Sequence, residues 1–211
     1  MTNTWIQTYS GAAFDYLSPT PDAIHEDDLA YGLARCGRYA RQSRHHYSVA
    51  QHSVIVAEIT AGLAPGNAAA QLWAVLHDAH EAYTGNIPTP FMNAIRFFSS
   101  GRPHPITMIQ AAIDEAILRK FEIDPADVRA VSQIVKQADA IALSTERAQG
   151  ILNHMMEWAV DLPEPASIEV VPISAASAVF VWRSALHKSL AAYLASKMRG
   201  VNAAEWCQIC P

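Results

Sequence analysis

Apolar residues recur along the chain at the spacing of helix faces. Leu72, Val75, Leu76 and Ala79 follow the intervals of three, four and seven that mark one buried side of a helix. Comparable runs, separated by proline, glycine and polar residues, predict helices at 27–39, 48–61, 67–83, 106–121, 125–156 and 174–199. The fifth of these helices is predicted to break near Asp139. We therefore predict an all-α fold.

Two of the predicted helices have recognisable starts. Pro125 follows Asp124, which suits a proline in the first turn behind an N-cap residue. Ser174 precedes an apolar face of the last helix, formed by Val179, Trp182, Leu186, Leu190 and Leu194. These start signals support the last two helices of the prediction.

The length suits a single domain. The 211 residues, 51% of them hydrophobic, are enough for one compact body with its own core. We predict that residues 1–160 form the main domain, and that residues 161–211 give this same domain a linker, a packing helix and a tail. The last helix could also pack on another subunit, and we expect a homo-oligomer.

Charge and hydropathy exclude several classes of partner. A net charge of −5, with no run of Lys and Arg longer than two residues, disfavours binding to a nucleic acid polymer. No apolar run reaches the roughly 18 residues that cross a bilayer, so no membrane partner is expected. The first residues lack the features of a signal peptide, and three cysteines offer no disulfide framework. We expect a cytoplasmic protein, and we interpret Cys207 and Cys210 as part of a tail.

The most unusual polar residues lie where the 67–83 pattern ends. His77, Asp78 and Glu81 are three and four residues apart, so they share one side of the predicted helix. An imidazole beside a carboxylate is a ligand set for a borderline divalent cation. The second carboxylate is then free to handle a proton or a water molecule.

Two further segments carry polar residues in apolar surroundings. His52 lies inside an otherwise apolar helix, where a histidine on its own is more often a core residue than a ligand. Asp139 stands between alanines in a helix that we expect to be largely buried, and an unpaired buried carboxylate is very costly. One metal ion held by His52, His77, Asp78 and Asp139 would account for all of these positions at once.

The order of these residues resembles the signature of the HD-domain phosphohydrolase superfamily, which is a His, a His-Asp doublet and a distant Asp. Here 25 residues separate His52 from His77, and 61 separate Asp78 from Asp139. The stretches 47–53, 77–90 and 138–146 are similar to one subgroup, which contains bacterial 5′-deoxynucleotidases and phage-type deoxynucleoside triphosphohydrolases. The similarity runs from about residue 6 to residue 147.

The resemblance implies an HD-domain helical bundle with an appended C-terminal helix. It also implies that Arg38 contacts a phosphate group through its planar fork and that Tyr39 lies near the base or sugar. Asn86 stands where the subgroup usually has an aspartate that meets the sugar or phosphate region. Superfamily members with two metals need further histidine ligands between the doublet and the last Asp. Only His80 and His104 lie there, so we expect one divalent ion, which could be Co, Mn, Zn, Ni, Fe or Mg.

The expected function is metal-dependent hydrolysis of (deoxy)nucleotides, in which activated water attacks phosphorus and Glu81 acts as the catalytic base. Both a dNTP triphosphohydrolase and a 5′-deoxynucleotidase fit these residues. A catalytically silent HD module that binds a nucleotide is an alternative, but it would be expected to lack a ligand, Glu81 or Arg38. A purely structural metal site is a third hypothesis, although such sites are usually closed by four ligands with no spare base.

Overall fold

The computed structural model of the chain is predominantly helical. It describes residues 3–99, 105–153, 156, 158 and 160–200. The helices are α1 (Glu26–Arg35), α2 (Val49–Leu63), α3 (Ala68–Leu76), α4 (Glu81–Thr84), α5 (Thr89–Phe98), α6 (Pro105–Lys120), α7 (Pro125–Ala148) and α8 (Ala175–Gly200). The predicted all-α class with a C-terminal helix is confirmed.

Smaller elements complete the described fold. Two short strands near the amino terminus, β1 (Trp5–Gln7) and β2 (Ala13–Asp15), pair in antiparallel register, and the sequence pattern did not predict them. A short 3-10 segment lies at Pro21–Ala23, and a turn with left-handed backbone lies at Tyr39–Arg41. Among the residues that the structure describes, no helix combines the length and the apolar character needed to cross a membrane.

The predicted helix starts are confirmed by their capping hydrogen bonds. The Asp124 side chain accepts from the Ala126 backbone N–H at 2.7 Å, with Pro125 in the first turn. The Ser174 hydroxyl accepts from the backbone N–H of residue 177 at 3.1 Å and begins α8. Ser48 caps α2 in the same way, accepting from the Gln51 backbone N–H at 3.2 Å. This cap places His52 one turn into α2.

Several predicted helix ends are wrong. The helix predicted at 27–39 ends at Arg35, because the chain leaves α1 to pair Gly37 with Ser48 in an isolated antiparallel bridge. The helix predicted at 125–156 has no break near Asp139 and ends at Ala148. Its end is a Schellman turn, in which Gly150 has φ +73° and the backbone N–H of residue 151 donates to the carbonyl of residue 146.

The segment around residue 100 also departs from the prediction. Helix α5 (Thr89–Phe98) was not among the predicted helices. His104 lies outside the described residues, as do Cys207 and Cys210.

The core places three helices side by side. Helix α2 contacts α3 and α7, and α3 also contacts α7. Helix α8 packs across α1, α2 and α3, where its fully buried Trp182 donates a hydrogen bond to the Val75 carbonyl at 3.3 Å. This packing brings the middle of α2, the end of α3 and the middle of α7 to one place.

A glycine holds α1 close to α4. A methyl group at Gly32 would lie 2.8 Å from the Ala82 carbonyl oxygen and 2.9 Å from the Ala82 Cβ. We predict that Gly32→Ala lowers the free energy of unfolding by about 1–3 kcal/mol, the usual cost of overpacking. Urea denaturation followed by circular dichroism measures this change.

Gly62 is the matched control for this prediction. It lies near the end of α2, and a methyl group added there meets nothing within 4 Å. Gly62→Ala should raise stability by about 0.5 kcal/mol, because alanine favours helical backbone over glycine. A Gly32→Ala protein as stable as Gly62→Ala would contradict the close packing of α1 on α4.

Candidate metal centre

The four predicted metal ligands lie together in the structure. His52 Nε2 is 3.0 Å from Asp139 Oδ1 and 4.0 Å from Asp78 Oδ2. His77 Nε2 is 3.2 Å from Asp78 Oδ2, and the rings of His52 and His77 have centroids 5.5 Å apart. Two imidazoles from α2 and from the end of α3 therefore face two carboxylates across a small space.

Both imidazoles present the same nitrogen to this space. His77 Nδ1 lies 2.8 Å from the Ala74 carbonyl oxygen, which can only accept, so this nitrogen carries the proton. His52 Nδ1 lies 2.6 Å from Glu146 Oε1 and donates to that carboxylate. Each hydrogen bond orients its ring and leaves Nε2 to bind an ion.

The Nε2 atoms of His52 and His77 are available to bind a metal ion. Both are buried and have no hydrogen-bond partner among the described residues, although carboxylate oxygens lie near them. A divalent cation would satisfy both nitrogens and both carboxylates at once, so the donor set fits the predicted metal. Burial lowers the pKa of His77, but the Asp78 carboxylate raises it, and the net value is about 9. A metal ion would therefore bind His77 by displacing a proton.

The cluster opens to solvent on one side. The exposed fraction of the side chain rises from 0% at His52 to 11% at His77, 23% at Asp78 and 44% at Asp139. Asp139 on α7 is therefore partly rather than fully buried, and its carboxylate lies at the most exposed side of the cluster. Solvent reaches the cluster from this side.

The helix predicted at 67–83 ends at Leu76, and a tighter turn follows it. The backbone N–H groups of residues 79, 81, 82 and 83 donate to carbonyls three residues earlier rather than four. Side chains three apart eclipse one another in this geometry. Asp78 and Glu81 therefore share one side, as predicted, but because of this turn rather than a continuous α-helix.

Glu81 is buried beside the cluster and held by Asn86. The Asn86 side-chain amide donates to both carboxylate oxygens of Glu81 at 3.1 Å. Burial and the Asp78 carboxylate raise the pKa of Glu81 to about 7. The turn back to Asn86 passes through Gly85 at φ +76° and ψ +163°, a conformation open almost only to glycine. Asn86 reaches Glu81 here, and its predicted contact with substrate stays a prediction.

Arg38 and Tyr39 lie at the edge of the same cluster. Arg38 is 9% exposed, with Nη1 3.7 Å from Asp78 Oδ2 and Nε 3.5 Å from Glu146 Oε2. The Tyr39 hydroxyl donates to the second oxygen of Glu146. Arg38 therefore lies against the cluster, and the Tyr39 hydroxyl points at a buried carboxylate. The predicted contacts of Arg38 with a phosphate and of Tyr39 with the base or sugar stay predictions.

Sequence reasoning missed the importance of two carboxylates. Glu146 is fully buried and lies seven residues after Asp139, two turns along the same face of α7. That spacing was the available signal. Asp114 on α6 lies 2.9 Å from His80 Nδ1, and the separation of 34 residues between them gave no local signal.

Comparison with known proteins identifies relatives along most of the chain. No family model matches it. The uncharacterized protein YfdR of Escherichia coli is 32% identical over 173 residues, which are 81% of this chain and 87% of YfdR. The chain belongs to the YfdR family. The uncharacterized protein RCAP_rcc00048 of Rhodobacter capsulatus is 29% identical over 178 residues, 82% of this chain and 87% of that protein.

A metal titration tests the cluster in this YfdR-family chain. A divalent ion at a free concentration of about 100 times its dissociation constant should raise the free energy of unfolding of the wild-type protein by about 2.7 kcal/mol. We predict that Asp139→Ala and Asp139→Asn lose most of this gain, while the unfolding temperature without metal changes little because the side chain is 44% exposed. Thermal unfolding measured with Co²⁺ and with a chelator gives the stabilisation by metal and the unfolding temperature without metal. If metal stabilised the Asp139→Ala protein as strongly as wild type, Asp139 would not be a ligand.

Proposed function

We propose that this chain is a metal-dependent phosphohydrolase of the HD-domain superfamily that acts on (deoxy)nucleotides. One observation carries the proposal: His52 and His77 both use Nδ1 in hydrogen bonds and turn unpaired Nε2 atoms toward Asp78 and Asp139. This pairing of two oriented imidazoles with two carboxylates is a divalent-metal site. When bound, such an ion lowers the pKa of a coordinated water and offers positive charge to a phosphate oxygen.

Glu81 is the group that takes the proton from the attacking water. It lies on the same side of the turn as Asp78 and is not needed to complete the ligand set. Its oxygens are held in place by Asn86 at 3.1 Å, so the carboxylate is oriented before any substrate arrives. A positioned base of this kind accelerates hydrolysis by orders of magnitude.

Arg38 binds the phosphoryl group. It is nine-tenths buried, and its Nε has no hydrogen-bond partner within the described part of the chain. Its contacts with Asp78 and Glu146 are 3.7 Å and 3.5 Å long, so an incoming phosphate can replace them with shorter charge-assisted hydrogen bonds. The opening beside Asp139 gives the phosphate a route to this guanidinium.

The nucleotide part of the proposal rests on resemblance and on an aromatic pair. The ring of Tyr39 lies 6.4 Å from that of Trp158, and the Arg38 guanidinium lies 5.4 Å from the Tyr39 ring. A base could stack on such a surface next to a phosphate held by Arg38. Both a dNTP triphosphohydrolase and a 5′-deoxynucleotidase are compatible with this arrangement.

A product screen tests the proposal and separates the two activities. The purified chain is incubated with deoxynucleoside 5′-monophosphates and with dNTPs, each in the presence of Co, Mn, Zn, Ni, Fe or Mg. Release of phosphate from monophosphates indicates a 5′-deoxynucleotidase, and release of intact triphosphate indicates a triphosphohydrolase. A protein that binds metal and nucleotide but releases neither product is the silent nucleotide-binding module, and the proposal is then wrong.

Replacing Glu81 isolates the chemical step. We predict that Glu81→Gln keeps metal binding and lowers kcat by roughly 100-fold or more, because the amide cannot take a proton from water. Glu58→Gln, at an exposed position of α2, is the matched control and should keep full activity. Equal rates for the two variants would exclude Glu81 as the base.

Replacing Arg38 isolates phosphate binding. We predict that Arg38→Ala weakens substrate binding by about 1.5–3 kcal/mol, the scale of a hydrogen bond to a charged group, to a similar extent for every base. Arg38→Lys keeps the charge but loses the planar fork, so it should lie between Ala and wild type. Dissociation constants measured in the Glu81→Gln background give binding without turnover, and an effect confined to one base would contradict a phosphate contact.

A further inference from the structure

Four side chains converge on the buried carboxylate of Glu146. Its Oε1 accepts from the Tyr47 hydroxyl at 2.8 Å and from His52 Nδ1 at 2.6 Å. Its Oε2 accepts from the Tyr39 hydroxyl and lies 3.5 Å from Arg38 Nε. The carboxylate has no exposed surface, so these groups, rather than water, compensate its charge.

The partners of Glu146 have two different proposed roles. His52 is a metal ligand of the proposed site, whereas Arg38 and Tyr39 face the proposed substrate. One oxygen of Glu146 therefore meets the metal-binding side and the other meets the substrate-binding side. The hydroxyl and ring N–H donors and the guanidinium around Glu146 leave each of its two oxygens in contact with one of these sides.

The segment next to Arg38 needs such an anchor. Tyr39, Ala40 and Arg41 have φ values of +55°, +51° and +65°, a run of left-handed backbone without a glycine. Each such residue costs about 1–2 kcal/mol, so the run persists only where its surroundings fix it. The hydrogen bond from Tyr39 to Glu146, and one from the Arg38 backbone N–H to the Tyr47 carbonyl at 2.9 Å, tie this segment to the bundle.

We propose that Glu146 is a positioning residue that couples the metal centre to the phosphate-binding segment. It keeps the proton of the His52 ring on Nδ1 and orients that ring. Through Arg38 and Tyr39 it also holds the left-handed segment (Tyr39–Arg41) beside the cluster. The inference rests on the proposed function for its substrate side. Its metal side concerns the chain's own residues and can be measured without turnover.

Cobalt binding to Glu146→Gln is the decisive measurement. This substitution keeps the size of the side chain and removes its charge. Chelator-treated protein is titrated with Co²⁺ by calorimetry, and the visible absorption of the cobalt complex is recorded. We expect the dissociation constant to rise about 10- to 100-fold, the range seen when a partner of a ligating histidine is lost, and the cobalt spectrum to change because His52 is no longer oriented.

A stability-matched control separates positioning from folding. Val131→Ala removes packing from the buried face of the same helix about two turns before Asp139, and should keep the wild-type cobalt affinity and spectrum. Glu146→Asp is the second variant if Glu146→Gln fails to fold. It keeps the charge but withdraws the oxygens from His52, so its affinity should fall in the same direction. Wild-type cobalt affinity and spectrum in a folded Glu146 variant would overturn the inference.

The substrate side is measured with Tyr39→Phe. This change removes one bond to Glu146 and leaves the bond to His52, so we expect KM to rise several-fold while cobalt affinity stays at the wild-type value. Unchanged KM would overturn the coupling between the two sides. A wild-type protein that hydrolyses no nucleotide would contradict the proposed function alone, because the cobalt titration of the Glu146 variants would still decide the role of Glu146.

Discussion

Burying a carboxylate costs free energy that only donors and positive charge can offset, and Glu146 has no exposed surface. The groups that offset this cost come from separate parts of the chain: His52 from α2, Tyr47 from the residues before it, and Arg38 from the segment after α1. Their contacts with Glu146 add to the apolar packing of α7 against α2. The electrostatic requirement of one side chain thus fixes the relative positions of the segments that form the candidate site.

The cluster is buried on the His52 side and exposed on the Asp139 side. His52 lies in the core and is oriented by a buried partner, while Asp139 at the opposite side of the space is 44% exposed. A closed structural metal site would surround its ion with protein on every side. The gradient of exposure found here instead leaves one side of the cluster in contact with solvent, as the proposed function requires.

Much of the fold and of the candidate cluster could be predicted from the sequence because the signals are local. The Asp124-Pro125 start and the apolar face of α8 are such signals, and the intrusion of His52 and Asp139 into apolar helices pointed to the cluster. The end of α3 could not be predicted, because the turn after Leu76 is fixed by contacts such as the His77 bond to the Ala74 carbonyl. Asp114 and the orientation of Asn86 depend on tertiary packing, which helical periodicity does not encode.

Helix α7 carries on one face a proposed metal ligand, Asp139, and the carboxylate that contacts another proposed ligand, Glu146. Their separation of seven residues is close to two turns, and each added or removed residue would rotate one against the other by about 100°. The helix between these two positions must be continuous. Its length in this interval cannot change, so insertions and deletions should be tolerated in the loops of this family and excluded between these two positions.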